Sequence, residues 1–144
     1  MADWRQKARE VFPEMETEVG DAENPMALWL DIQFEFFVAY KEPRNEDFIR
    51  RVYEFESWCM EQEGGQDAEN DLPTCVVVCF WEHIPTDPAA RKDMPRWFSS
   101  EEILANTEVF SYFLSRGNFE ALVDDISKSD VSMERQSSYL PLDA

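Results

Sequence analysis

Apolar residues recur along this chain mostly at helical spacing. Between Asn45 and Glu63, Phe48, Val52, Phe55 and Cys59 fall on one line, and Ile49 and Tyr53 widen it. Residues three and four apart share a helix face, so the stripe predicts an amphipathic helix. Asn45 supplies an N-cap, and Glu46 and Asp47 sit where the helix dipole favours anions. Gly64-Gly65 ends the run. Upstream, Asn24-Pro25 reads as a cap followed by a proline in the first turn. Trp29, Ile32, Phe36 and Tyr40 then carry a helical stripe to about Lys41. The first segment, Asp3 to about Val19, is a polar helix that Pro13 must interrupt, because proline lacks the N–H and clashes with the turn before it.

Downstream the signals are shorter. Pro85, Pro88 and Pro95 make "PTDPAARKDMP" a connector that cannot be one helix. Ser99 with Glu102 matches a capping box. Val109, Phe110, Phe113 and Leu114 fit a short helix, and Phe119, Leu122, Val123 and Ile126 fit a last one. From about Ser127 the pattern fades into a polar tail, pinned at Tyr139 and Leu140.

Two stretches also carry a strand signal. From Leu30 to Phe36, "LDIQFEF" alternates apolar and polar, and from Cys75 to Trp81 three consecutive valines suit a short buried strand. Length and the proline-led start favour helix in the first case. The expected fold is mainly α: a single-domain bundle of five to six helices over residues 1–126, with 127–144 as a C-terminal tail. The alternative is α+β, with Leu30 to Phe36 and Cys75 to Trp81 as strands.

A chain of 144 residues can bury a core without metal or disulfide help. At 44% hydrophobic and 14% aromatic it has the apolar content to fold despite a net charge of −18. That charge repels phosphate, and so opposes nucleic acid and anionic membrane as partners. It is also uneven. From Val52 to Ala90 there is no Lys or Arg, but nine acids: Glu54, Glu56, Glu61, Glu63, Asp67, Glu69, Asp71, Glu82 and Asp87. Three cysteines, an odd number, read as reduced thiols. "MADWRQKARE" lacks the apolar core of a secretory signal, and the most apolar run is broken by Asp31, Gln33 and Glu35. The expectation is a cytoplasmic protein with no membrane span.

"CVVVCFWEHIP" holds Cys75, Cys79 and the single histidine, His83, four residues apart twice. On one helix these would spread over about 12 Å, too far for one ion, and the spacing is not that of a zinc site. The surrounding Val76, Val77, Val78, Phe80, Trp81 and Ile84 make the stretch look like a central packed helix, with cysteine as a small hydrophobe and His83 near its negative end. No nucleophile elbow, phosphate loop, dinucleotide fingerprint or zincin motif occurs. No metal, cofactor or catalytic residue is expected.

The runs "FIRRVYEFESWC", "VVVCFWEHIP" and "MPRWFSSEEI" resemble a small bacterial helical domain family of unknown function. The likeness covers about Leu28 to Val123 and implies no catalytic residue. In size, acidity and lack of motifs the chain is also similar to immunity proteins of bacterial toxin systems. That resemblance implies a basic protein partner, such as a toxin.

Three functions follow. The first is a non-enzymatic interaction protein of inhibitor or immunity type, meeting a basic surface through Glu61, Glu63, Asp67, Glu69, Asp71, Glu82, Asp87 and Trp97, with Trp58 and Trp81 as further aromatic anchors. The second is a thiol- or metal-dependent enzyme using Cys75, Cys79 and His83. The third is an acidic mimic of nucleic acid.

Overall fold

The structure, a computed structural model, describes residues 3–139, with side-chain surroundings through residue 129. Contacts divide the chain into two compact units, Met1–His83 and Ile84–Ala144.

The first unit begins with α1 (Trp4–Val11), started by Asp3, whose carboxylate accepts from the Gln6 amide at 2.9 Å. Pro13 breaks the helix as expected. A 3₁₀ turn (Pro13–Met15) replaces it, and α2 (Glu16–Asp21) resumes. Asn24 caps α3 (Pro25–Ala39) by accepting from the Ala27 amide at 2.8 Å. Asn45 caps α4 (Glu46–Met60) in the same way through the Phe48 amide, at 3.1 Å. After a 3₁₀ turn (Ala68–Asn70), Asp71 caps α5 (Leu72–Val76). The chain then widens into a π-helical turn (Val77–Trp81), in which the Glu82 amide reaches the Val77 carbonyl at 3.1 Å.

An aromatic web ties these helices together. Trp29 of α3 stacks between Phe55 of α4, at 5.5 Å, and Phe80 of the π turn, at 5.4 Å. Phe36 meets Phe80 edge-on at 4.8 Å, and Phe12 meets Phe55 edge-on at 5.5 Å. Trp29, Phe12, Phe36, Phe55 and Phe80 are all fully buried. Burying one such side chain is worth roughly 1.5–3 kcal/mol, and each well-placed ring pair adds about 0.5–1.5 kcal/mol. Opposed to this is one buried carboxylate, Glu56, which accepts from the Trp81 indole N–H at 3.1 Å and from the Ser57 hydroxyl. That bond fixes the π turn against α4.

The second unit opens with a 3₁₀ turn (Ile84–Thr86) and α6 (Pro88–Asp93), capped by Asp87. A further 3₁₀ turn (Met94–Arg96) leads to α7 (Ser100–Ala105), α8 (Thr107–Phe110) and α9 (Arg116–Tyr139). Ser99 and Glu102 form the expected capping box. Met94, Ile103, Leu122 and Ile126 are buried, and Phe98 meets Phe110 at 5.2 Å.

The protein is mainly α, with no strand among the described residues. The five to six helices expected become nine α-helices among the described residues. Pro13 divides the first segment in two, the proline-rich connector holds a helix of its own, and Asn106 separates α7 from α8. The strand alternative is overturned: the stretch from Leu30 to Phe36 lies inside α3, and that from Cys75 to Trp81 lies in α5 and the π turn. Helix α9 runs through residue 127, where the fading pattern suggested a tail. The expected pinning at Tyr139 and Leu140 lies outside the residues whose side chains are described.

Candidate functional site

The cysteine-rich stretch packs inward. Cys59, Cys75 and Cys79 are all free and buried. The Cys75 thiol faces the Ala68 and Glu69 carbonyls at 3.6 and 3.5 Å, and the Cys79 thiol faces the Met26 carbonyl at 4.0 Å. Burial pushes the Cys59 and Cys75 thiols up to about 12, and Cys79 up to about 11. Nearby carboxylates push the same way: Asp71 acts on Cys75 and Glu82 on Cys79. Nucleophilic cysteines sit in the opposite surroundings, beside cations that stabilise the thiolate. Among the described residues, no group of three or more His, Cys, Asp or Glu side chains is placed to hold a metal ion. His83, half-buried, closes the turn with its backbone N–H on the Phe80 carbonyl at 3.0 Å.

The eight residues expected to meet a partner separate into distinct settings. Glu61, Glu63 and Asp67 line one recess of about 640 Å³ in the first unit, together with Trp4, Gly65 and Leu72. No Lys or Arg lines it among the described residues. The loop that shapes it is held tightly. A Cβ placed on Gly65 would lie 2.4 Å from the Asn70 carbonyl oxygen, so only glycine lets the two backbones approach this closely. Asp67 also accepts from the Asn70 amide at 3.1 Å, which closes the 3₁₀ turn.

The other five do different work. Glu69 is exposed and accepts from the Asn24 side chain at 3.4 Å. Asp71 and Asp87 are helix caps, on α5 and α6. Glu82 is half-buried beside Cys79. Trp97 belongs to the second unit, where its indole N–H donates to Asp93 at 3.2 Å and the Arg96 guanidinium stacks over its ring at 4.9 Å. Of the other tryptophans singled out, Trp58 stacks on Phe55 at 5.9 Å, and Trp81 is bonded to Glu56.

Sequence reasoning missed Trp4, which lies far along the chain from the acidic loop whose recess it lines. It also missed a second cation-free run. Residues 10–40 contain no Lys, Arg or His but eight acids. Counting charges over the whole chain would have found it. Among the described residues, no helix is long and apolar enough to cross a membrane. No family model, no curated protein and no solved structure matches the chain.

Proposed function

We propose that this protein acts by binding, as an acidic inhibitor or immunity-type partner of a basic protein, and that the recess between α4 and α5 receives a Lys or Arg side chain of that partner. The observation that carries this reading is the recess itself: Glu61, Glu63 and Asp67 line about 640 Å³ with no cation in its lining among the described residues, and Trp4 forms part of its wall. An ammonium or guanidinium entering it meets carboxylates, which is favourable, beside Trp4, over whose ring the Arg5 guanidinium already lies at 4.5 Å. The wider negative field steers a cationic partner towards it and raises the association rate.

The raised thiols and their acidic neighbours favour this reading over thiol chemistry. The test is capture from the host's lysate on immobilised protein, at low and physiological salt, beside the triple variant Glu61→Gln, Glu63→Gln, Asp67→Asn. Asn keeps the cap that Asp67 provides. A basic protein should be enriched on the wild type, released by salt and weakened at least tenfold by the variant. Capture that neither salt nor the variant changes refutes the reading.

A further inference from the structure

Helix α3 is apolar on two sides. Leu28, Trp29, Ile32 and Phe36 face the core, yet Leu30, Phe34 and Val38 are 53%, 66% and 38% exposed. These three stand four residues apart, so they form one continuous line about 12 Å long on the outer surface. Single exposed apolar residues are ordinary, whereas three in line on one helix face make a continuous apolar patch.

Its borders are defined. Along one edge Asp31 and Glu35, both exposed, repeat the same four-residue step. Burial and the neighbouring Glu18 of α2 push the Asp31 carboxyl up, so negative charge is crowded there. Along the other edge Gln33 donates to the Cys79 carbonyl, which anchors the π turn beside the stripe, and that turn leaves Val78 39% exposed. No cation interrupts the chain from residue 10 to residue 40.

We infer that the outer face of α3 docks an amphipathic helix of a partner protein, one with an apolar stripe at three- and four-residue spacing and Lys or Arg along the edge that meets Asp31 and Glu35. Helix-in-groove recognition uses this pattern of anchors, and opposite charges along the seam set the partner and its direction. A second copy of the chain fits poorly: in an antiparallel α3 pair, Asp31 and Glu35 would face Asp31 and Glu35, between two chains each carrying −18. An anionic lipid surface meets the same repulsion. The inference concerns a different face from the acidic recess and does not rest on it.

The experiment uses the full chain and two synthetic peptides of 18 residues, read by fluorescence anisotropy. One carries Leu on one helix face with Lys along the flank; its twin carries Glu in place of every Lys. The Lys peptide should bind, and the Glu twin at least tenfold more weakly. Phe34→Asp should weaken the Lys peptide at least tenfold, and the pair Asp31→Asn, Glu35→Gln severalfold. The recess variant Glu61→Gln, Glu63→Gln, Asp67→Asn should leave this binding within about twofold, which separates the two readings. Phe34→Asp makes the chain more negative, so attraction by charge alone predicts tighter binding. Unchanged or tighter binding overturns the inference. If circular dichroism shows that Phe34→Asp disturbs the helices, Phe34→Gln takes its place with the same expectation. A wild-type dimer that either variant dissociates, or vesicle binding that either abolishes, assigns the face to another occupant and overturns it equally.

Discussion

If the three thiols are packing groups, a thiol reagent should find them closed. The perturbation is a chromogenic disulfide reagent at pH 8, added to native protein and to protein unfolded in urea. In the unfolded chain a thiol near 8.5 is about a quarter ionised at that pH. At about 12, Cys59 and Cys75 are ionised in roughly one molecule in ten thousand, and Cys79, at about 11, in roughly one in a thousand. A thiolate of higher pKa is intrinsically more nucleophilic, which offsets part of this. The ionisation effect that remains is a slowing of roughly 20–60-fold. Burial adds to it. Cys59 and Cys75 have no exposed surface and Cys79 has 2%, so the reagent must wait for an opening. With an opening free energy of about 5 kcal/mol, at the low end for a folded domain, fewer than one molecule in a thousand is accessible. The native protein should therefore react at least a thousandfold more slowly than the unfolded chain, with all three thiols counted once urea is added. Single Cys→Ser variants assign any faster phase. One thiol reacting on the folded protein within tenfold of its unfolded rate would refute the reasoning and restore a thiol chemistry.

Two further expectations concern the frame. Phe80→Ala removes the ring that Trp29, Phe36 and Tyr53 pack against and should cost about 3–5 kcal/mol, seen as a fall in the urea midpoint; a loss under about 1 kcal/mol would contradict a central role for the π turn. Arg51 joins α4 to the first segment through the Val11 carbonyl, at 2.8 Å, and both Glu14 oxygens. Because Glu14 is nearly half exposed, its pair is worth only about 0.5–1 kcal/mol, and the carbonyl bond supplies most of the loss of about 2 kcal/mol expected for Arg51→Ala. The hydrogen bond from Arg51 holds the Glu14 carboxyl below its ordinary value. A depressed carboxyl contributes stability above its unfolded pKa and loses it as pH falls through the folded one. Thermal scans should thus show wild type losing more stability than Arg51→Ala as pH drops below about 4.3; parallel losses would remove Glu14 from the account.

The local signals were legible from the residues. Asn24, Asn45 and Ser99 all cap the helices expected of them, because a cap is decided within three residues. The strand-like alternation of "LDIQFEF" has a helical cause: Ile32 and Phe36 point inward while Leu30 and Phe34 point out, so apolar residues on two faces imitate a period of two. Helix number was hidden because single-turn 3₁₀ segments and helices of four to six residues leave no periodic trace. The recess was half legible. Its acids stand close together in the sequence, but only tertiary folding brings Trp4 to Gly64-Gly65.

The wide turn at Val77–Trp81 has a consequence for how the chain can vary. A π turn is an α-helix that has accommodated one surplus residue, so the helical segments on either side of it stay in register. Losing one residue there would restore ordinary α rungs with both flanks in place, and the change would fall on the turn's own side chains, Phe80 on Trp29 and Trp81 on Glu56. Related chains can therefore be expected to lose one residue here more readily than within α3 or α4, where a deletion swings everything that follows by about 100°.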